Sequence, residues 1–264
     1  DVILRRAVMC IVVQNHFAYY HGLVTEFRQN KRVGAYTQYE LRLRAKAFLP
    51  YLNTRSDIYV GKDLSNIIDT VLKDNGFTTA DYELRLTEDQ YKPLADGYNR
   101  WSFVCQYEES DLNFLQRLME REGVYYYFLQ DTTWHDDLQD VKPEKMMIVD
   151  SKVSHAPSAK TLRYEQVGTP GSGPAPETIF TLIMHQAAYP QKVILRNYNY
   201  DKAGMGTMSA AATVGTATGG SGRVQTIYGE NFSTTEEGEA LARIRAEEIF
   251  CRTKVYYGIA SGPG

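Results

Sequence analysis

The stretch YEESDLNFLQRLMEREGVYYYF, residues 107–128, predicts a helix, a hinge and a strand in direct succession. Ser110 can cap the amides of a helix that begins at Asp111, whose carboxylate suits the positive end of the helix dipole. Apolar residues then recur at spacings of three and four: Leu112, Leu115, Leu118 and Met119. Gly123 ends the helix, because glycine adopts the left-handed backbone without a steric cost. We therefore expect an amphipathic helix over 111–122.

The residues after the hinge have the composition of a buried strand. Val124 is followed by four aromatic residues, Tyr125, Tyr126, Tyr127 and Phe128. β-branched and aromatic residues favour strands, and a run of large apolar side chains needs neighbours that cover it. We therefore expect a strand that is covered on both faces, or nearly so.

Composition limits the classes of partner. The chain of 264 residues and 30.0 kDa carries 29 basic and 32 acidic residues, a net charge of -3. This balance argues against nucleic acid or a membrane surface, because neutralising phosphates requires a clustered basic excess. Three cysteines, Cys10, Cys105 and Cys251, without CxxC spacing predict neither a disulfide framework nor a zinc knuckle, and favour a reducing compartment during folding. Twenty tyrosines beside two tryptophans favour sheets and large interfaces.

The amino-terminal run LRRAVMCIVV has only part of the pattern of a signal peptide. Its apolar portion, residues 7–13, is short, and the polar residues Gln14, Asn15 and His16 follow where a small-residue cleavage site would stand. We interpret the run as a buried strand. No segment reaches the roughly 20 apolar residues that a membrane-spanning helix needs.

Residues 36–45, YTQYELRLRA, alternate between apolar and polar side chains. One face carries Tyr39, Leu41, Leu43 and Ala45, and the other carries Gln38, Glu40, Arg42 and Arg44. The alternation predicts a half-buried antiparallel strand. Its partner is expected at 20–29, joined to it through polar residues around 30–34.

Two further helices have marked ends. One is predicted at 64–75, with Asp63 as its cap, Gly76 as its stop and a wide apolar stripe of Leu64, Ile67, Ile68, Val71 and Leu72. A stripe of that width predicts docking on a sheet. The other is predicted at about 235–252, with Thr234 and Glu237 at capping-box spacing and a weaker stripe of Leu241, Ile244 and Ile249.

Further strands are expected at 82–86, 98–107, 145–150, 178–185 and 192–200. In the second of these, Trp101, Phe103, Cys105 and Tyr107 share one side. GTPGSGPAP at 168–176 predicts a turn or exposed loop. The glycine-rich, uncharged segment 203–222 predicts a linker or poorly ordered loop.

Neither a phosphate loop nor a metal site is supported. The glycines at 204–222 lack the GK[ST] and GxGxxG patterns that phosphate binding requires. His135, Asp136 and Asp137 could bind a metal, but no second cluster accompanies them, so a solvated loop is favoured. We therefore expect no cofactor and no metal.

The residues that could carry catalysis do not converge on one site. Glu108, Glu109 and Asp111 are near neighbours whose carboxylates point apart, whereas the two carboxylates of a glycosidase face each other across the substrate. There is no GxSxG motif for a serine nucleophile. The five histidines, His16, His21, His135, His155 and His185, form no HExxH pair. Nothing in the sequence indicates an enzyme.

The stretch at 107–128 resembles the signature segment of VgrG, the family of type VI secretion spike proteins. The residues that carry the resemblance are Ser110, Asp111, Leu112, Phe114, Leu115, Leu118, Gly123, Tyr125, Tyr126, Tyr127 and Phe128. Other segments are similar to the family in the family's order: YYHGLVTEFRQ at 19–29, LSNIIDTVLKDNGF at 64–77, MMIVDSKVSHAP at 146–157, VILRNYNYDKAG at 193–204 and GEALARIRAEEIFCR at 238–252. The resemblance covers nearly all of the chain.

The resemblance implies a mainly β fold with a few helices, similar to the baseplate hub protein of contractile phages. Two β-barrel-like regions are expected. The first, 1–128, would contain the inserted helices at 64–75 and 111–122, and the second, 129–264, would contain the helix at about 235–252. The chain ends about where the family's next domain begins, so we expect the oligonucleotide-binding-type and needle domains to be absent. The usual opening strands are also missing, and we expect additional residues at the abrupt junction 14–17.

By the same resemblance, the function is structural. The family forms a homotrimer that caps the hexameric inner tube of the secretion machine and carries the needle, effector proteins, and adaptor or tip proteins. It is assembled in the cytoplasm and expelled to the outside or into the target cell, without a signal peptide. Two alternatives stay open: a phage-tail or prophage hub with lytic activity, and a carbohydrate-binding or adhesin β-domain.

Overall fold

The computed structural model describes residues 2–13, 16–86, 103–131, 135, 137, 141–155, 162–164, 178–199, 204, 206–216 and 220–261. These residues form a mainly β structure with four α-helices: α1 (Leu49–Leu52), α2 (Leu64–Asp74), α3 (Asp111–Glu122) and α4 (Thr235–Cys251). The strands are β1 (Arg6–Val13), β2 (His16–Val33), β3 (Tyr36–Arg44), β4 (Thr54–Val60), β5 (Tyr82–Arg85), β6 (Phe103–Ser110), β7 (Tyr125–Leu129), β8 (Lys145–Val149), β9 (Arg163–Tyr164), β10 (Thr178–Gln186), β11 (Lys192–Tyr198), β12 (Thr207–Thr213), β13 (Val224–Tyr228) and β14 (Lys254–Ser261). Single turns of 3-10 helix lie at Lys46–Phe48 and Lys152–Ser154. The predicted mainly β class with a few helices is confirmed.

The described strands form five small sheets. Their strand orders are β1-β2-β3, β4-β6, β5-β8-β7, β14-β10-β9 and β12-β11-β13. Each of these sheets has two open edges, so none of them closes into a barrel within the described residues. The expectation of two β-barrel-like regions is therefore not met by these strands alone.

The chain divides into two compact units. Unit 1 comprises Asp1–Glu120, Val124–Lys160 and Gly262–Gly264, and unit 2 comprises Arg121–Gly123 and Thr161–Ser261. The boundary after residue 128 stays a prediction. Among the described residues, no helix has both the length and the apolar character that crossing a membrane requires.

The core of unit 1 is built from α2, α3 and the sheets that contain β4, β5 and β8. The Asp63 carboxylate caps α2 by accepting the Asn66 amide at 2.8 Å, and Gly76 follows the helix with φ +75°. The predicted stripe of α2 is buried at all five positions: Leu64, Ile67, Ile68, Val71 and Leu72. Burying each such side chain stabilises the fold by about 1.5–3 kcal/mol. The prediction for 64–75 is confirmed.

The aromatic strand after Gly123 lies at the edge of its sheet, where the prediction of burial on both faces is wrong. Among the strands that the structure describes, β7 pairs with β8 alone, and Tyr125 is 38% exposed. The buried aliphatic strand is instead β8, whose Met147, Ile148 and Val149 are each 0% exposed. A central strand has neighbours on both sides, whereas an edge strand loses cover on one, and the sequence of β7 does not specify which place it takes.

The side of β6 that carries Phe103 and Tyr107 is the exposed one. Phe103 and Tyr107 are 57% and 70% exposed, whereas Val104 and Gln106 on the opposite face are buried. Residues 98–102 of the predicted strand lie outside the described residues. This side of β6 therefore faces away from the described core of unit 1, which Val104 enters from the opposite side.

The segment 203–222 is not a linker where it is described. β12 within it pairs antiparallel with β11 from Lys192↔Thr213 to Tyr198↔Thr207, and Ala210 and Val214 are buried. A Cβ on Gly238 of α4 would lie 2.8 Å from the Ala210 Cβ. The small residues of β12 thus let α4 lie close against the sheet, a role that composition alone does not distinguish from a flexible tract. The predicted loop at 168–176 lies outside the described residues. The same holds for residue 200, the last residue of the strand predicted at 192–200.

Helix α4 has the predicted start but a different stripe. The Thr234 hydroxyl accepts the Glu237 amide at 3.2 Å, and the Glu237 carboxylate accepts the Ser233 amide at 2.9 Å. The buried residues are Gly238, Leu241, Ala242 and Ala246. Ile244 and Ile249 of the predicted stripe are only half-buried, because small side chains form the contact with the sheet.

Candidate functional site

Helix α3 begins as its sequence predicts. The Ser110 hydroxyl accepts the Asn113 amide at 3.2 Å, and the backbone amide of Asp111 donates to the carbonyl of Asn53 at 2.9 Å. Asp111 itself is fully buried. A buried carboxylate at a helix start needs partners beyond the helix dipole, because desolvation of an isolated charge is costly.

Four side chains supply those partners. Asn53 and Asn75 each donate an amide to Oδ2 of Asp111 at 2.7 Å. Arg55 Nε donates to Oδ1 at 2.9 Å and Gln106 Nε2 donates to the same oxygen at 2.8 Å. Both carboxylate oxygens therefore have two donors each, which fills their acceptor capacity.

The Asp111 network has a structural role. Burial opposes the charge of Arg55, but the hydrogen bond and the charge of Asp111 outweigh burial, so the pKa of Arg55 is raised. A carboxylate that already accepts four hydrogen bonds has no free position for a substrate proton or a metal. The network instead joins β4, β6, the end of α2 and the start of α3. Its partners come from distant parts of the chain, and only the cap and the dipole were visible in the sequence.

The other signature residues are part of the core or the sheet edge. Phe114, Leu115 and Leu118 are buried, whereas Leu112 is partly exposed. Gly123 has φ +71°, as its predicted hinge role requires. Tyr126 and Phe128 pack against the core of unit 1; Tyr125 and Tyr127 lie on the other face and stack on His155 with ring centroids 5.6 and 4.4 Å apart.

The hairpin of β2 and β3 exposes an apolar face. Its register places Phe27 opposite Leu41 and Gln29 opposite Tyr39. Phe27, Tyr39 and Leu41 are 44%, 51% and 52% exposed, so the predicted half-buried strand is not half-buried within its own chain. The predicted pairing of the two strands is confirmed, with a turn at Gly34 and Ala35 that is shorter than the predicted connection.

A second apolar face lies on the two-stranded sheet of β4 and β6. Val60 pairs with Phe103 and Ile58 pairs with Cys105. The exposed members of this face are Ile58, Val60, Phe103 and Tyr107. The opposite face, with Tyr59 and Val104, is buried in the core. This sheet therefore has one covered and one uncovered apolar face.

The ribbon of β10 and β14 in unit 2 is apolar on both faces. Leu182 lies opposite Gly258, Ile183 opposite Tyr257 and Met184 opposite Tyr256. Its exposed apolar residues are Leu182, Ile183, Met184, Tyr256, Tyr257 and Ile259. Exposed apolar patches of this kind mark interaction surfaces.

A small cavity lies in unit 1 among several polar and charged side chains. It has a volume of about 20 Å³ and is lined by Arg6, His21, Gly22, Leu23, Lys46, Asp81, Pro143 and Glu144. This volume is enough for about one water molecule and too small for an organic substrate. Glu144 Oε1 accepts the Lys46 amide at 2.7 Å, and burial raises the pKa of Glu144. This cavity offers no room for a substrate.

The residues considered for metal binding and catalysis stay apart. Within the part of the chain that the structure describes, no three His, Cys, Asp or Glu side chains are placed to hold a metal ion. His135 binds Asp131 at 2.8 Å, and Asp136 lies outside the described residues. Glu109 pairs with Arg117 at 2.6 Å. The three cysteines are free.

Sheets that expose large apolar side chains on one face are typical of a protein that assembles with others. The family model described as phage tail baseplate hub (GPD) matches residues 3–263. The chain belongs to the phage tail baseplate hub family. The stretch 107–128 resembles VgrG spike proteins, and this resemblance is confirmed because VgrG spike proteins are among the relatives of the chain.

This hub is similar to known spike and tail proteins. It is 24% identical over 231 residues to the type VI secretion system spike protein VgrG1c of Pseudomonas aeruginosa, which covers 88% of this chain and 29% of VgrG1c. It thus spans less than a third of that relative. Among solved structures, the c3393 protein of E. coli matches 71% of this chain and 44% of its own with a TM-score of 0.54 at 19% identity. The tail protein of Neisseria meningitidis MC58 matches 97% and 67% with a TM-score of 0.57 at 9% identity.

These structural likenesses show the fold. The E. coli protein is described as a component of the type VI secretion system with structural similarity to the T4 bacteriophage tail proteins gp27 and gp5. The hub fold of the present chain is therefore shared by secretion spikes and phage tails.

Proposed function

We propose that this chain is the hub of a type VI secretion spike, a structural component without catalytic activity. The observation that carries the proposal is the family match over residues 3–263, joined to the similarity with a secretion spike protein over 88% of the chain. In this role the chain forms a homotrimer, seats on the hexameric inner tube, and connects the tube to the needle, effectors and adaptor or tip proteins.

The exposed sheet faces support an assembly role. Three separate sheets each present large apolar side chains that are about half exposed or more, such as Leu41, Val60 and Tyr257. Aromatic and aliphatic side chains bury large areas at interfaces with little entropy cost. The two hub-like regions, 1–128 and 129–264, complete their β-barrel-like cores in this proposal when neighbouring copies cover these faces.

The proposed route of the protein follows from the same role. The hub is assembled in the cytoplasm with its partners and is expelled by the machine into the outside medium or the target cell. It passes the target membrane as part of the spike, and nucleic acid is not a partner.

The experiment measures the mass of the purified chain by light scattering, alone and with the hexameric inner-tube protein of the same secretion system. We expect three times the 30.0 kDa chain mass, and a further complex when the tube protein is added. Assembly depends on concentration, so the series includes high protein concentrations. A single-chain mass at every concentration, with no binding to the tube protein, would contradict the proposal.

A further inference from the structure

Two side chains that line the small cavity of unit 1 each have a buried polar atom with no hydrogen-bond partner among the described residues. These atoms are Oε2 of Glu144 and Nε2 of His21. Glu144 is 7% exposed, and its other oxygen, Oε1, accepts the Lys46 amide at 2.7 Å. A buried polar atom that stays unbonded costs more than a typical hydrogen bond contributes, because the atom has lost its contact with solvent. The cavity that both residues line is the place where a shared partner of the two atoms would lie.

Burial disfavours the charged form of both side chains. It raises the pKa of the Glu144 carboxyl and lowers the pKa of the His21 imidazole. A neutral imidazole has one donor and one acceptor nitrogen, and a carboxyl group donates when protonated and accepts when ionised. A partner that can both donate and accept therefore suits each of these protonation states.

The charged residues of the cavity favour a neutral occupant. The lining contains two basic residues, Arg6 and Lys46, and two acidic residues, Asp81 and Glu144. Asp81 lies 2.9 Å from the Lys46 ammonium and 3.8 Å from the Arg6 guanidinium, and it also accepts the amide and the hydroxyl of Thr78. An ion of either sign would meet like charges in this lining as well as opposite ones.

The size of the cavity selects one small molecule. A site for one water needs at least about 10–15 Å³ and two to four polar partners. The volume here is about 20 Å³, and Glu144 Oε2 and His21 Nε2 supply two partners. Water meets the requirements of size, neutral charge, and both donor and acceptor capacity.

We propose that this cavity binds a single water molecule that bridges Oε2 of Glu144 and Nε2 of His21. His21 lies on β2, and Glu144 directly precedes β8, so the water joins the sheet β1-β2-β3 to the sheet β5-β8-β7. Among the described residues, no side chain of β1, β2 or β3 belongs to the core cluster around α2 and α3. The attachment of this sheet therefore depends on other contacts, such as the His21 amide that donates to Gln130 Oε1 at 3.2 Å.

A crystal structure of the full chain tests the site directly. We expect electron density for one water within hydrogen-bond distance of both Glu144 Oε2 and His21 Nε2. Crystals soaked in rubidium bromide distinguish water from an ion, because rubidium and bromide scatter anomalously and water does not. A cavity without density, a direct bond between the two side chains, or an anomalous signal in the cavity would overturn the proposal.

Hydrogen exchange of the Lys46 amide tests the bridge in solution, because this amide donates to the same carboxyl group. His21→Met replaces the imidazole with an apolar side chain of similar length, whereas His21→Gln keeps a polar atom near the position of Nε2. We expect His21→Met to speed exchange of the Lys46 amide by about two- to tenfold, as the loss of one hydrogen bond predicts. His21→Gln should stay near the parent, and so should the control His185→Met, at an exposed histidine on β10.

Equal exchange rates of the Lys46 amide in His21→Met and His21→Gln would overturn the bridge, because the polar atom at position 21 would then have no effect. If His21→Met does not fold, the crystal structure of the parent chain decides. The water site is independent of the proposed hub function, which light scattering tests separately.

Discussion

Leu115 of α3 and Leu41 of β3 make a useful comparison, because an amphipathic pattern predicts burial for both. Leu115 is 0% exposed in the core of unit 1, whereas Leu41 is 52% exposed on the hairpin. The helix presents its stripe to α2 and to sheets of the same unit. The hairpin presents its stripe to solvent within the single chain. Periodicity therefore identifies the apolar side of an element but not the molecule that covers it.

The largest expected difference in stability is between replacing the buried Asp111 and replacing an exposed aspartate. Asp111→Ala leaves Arg55, Asn53, Asn75 and Gln106 without their shared acceptor, and breaking such a buried pair costs about 3–5 kcal/mol. Urea denaturation of the dilute chain measures the loss. Asp57→Ala on β4, whose side chain is 45% exposed, is the control and should change stability by about 0.5 kcal/mol or less. Equal losses would contradict the assigned role of the network.

The two leucines themselves form the next test. Leu115→Ala should lower the free energy of unfolding by about 2–5 kcal/mol, since it leaves a cavity in a packed core. Leu41→Ala, measured at a dilution where the chain is single, should change it by about 0.5 kcal/mol or less. If Leu41→Ala is as harmful as Leu115→Ala under these conditions, the hairpin face is covered within the chain and the comparison fails.

Two glycine substitutions, one at the hinge after α3 and one at the hairpin turn, distinguish the cost of backbone strain from the cost of a side-chain contact. Gly123→Val forces a β-branched residue to φ +71°, which costs about 1–3 kcal/mol, and its Cβ would also lie 3.1 Å from Ile244. Gly34→Val at the hairpin turn has a similar φ of +61° and nothing within 4 Å of the added Cβ. Thermal melting should therefore show the larger loss for Gly123→Val. A melting temperature equal to that of the parent would show that the junction is misread.

Replacing Glu144 should have a smaller effect on stability, and that effect should depend on pH. Burial raises the pKa of its carboxyl above the ordinary value of 4.5, so the folded state holds this proton more firmly than the unfolded state does. The stabilising contribution is complete below pH 4.5 and is lost as pH rises through the folded pKa. Glu144→Gln keeps an acceptor for the Lys46 amide and does not ionise. We expect the variant to gain stability relative to the parent as pH rises above 4.5; a difference that is constant with pH would contradict this.

Local signals in the sequence predicted the helices well. Ser110, Asp63 and Thr234 cap the helices that they were expected to cap, and Gly76 and Gly123 take the positive φ of helix stops. These features depend on neighbours within four residues, so the sequence carries them directly. The pairing of β2 with β3 was predicted for the same reason, since only a short turn joins them.

Features that depend on distant neighbours were not predicted. The sequence did not distinguish the edge strand β7 from the central strand β8, nor did it show that small residues of β12 accommodate α4. The donors around Asp111 come from positions separated by up to 58 residues. The exposed apolar side of β6 and the exposed face of β3 have one feature in common: within the described part of the chain, no element covers these apolar side chains.

The most direct test of the account is tyrosine reactivity during assembly. Tyr39 on the β2–β3 hairpin and Tyr257 on the β10–β14 ribbon are 51% and 60% exposed in the single chain, whereas Tyr19 is buried and serves as the internal reference. Footprinting by a small tyrosine-modifying reagent, at concentrations below and above assembly, measures their cover. We predict that both lose reactivity as the mass rises to three chains, while Tyr19 stays unreactive throughout. Unchanged reactivity of Tyr39 and Tyr257 in the assembled particle would contradict the claim that neighbouring copies cover these faces.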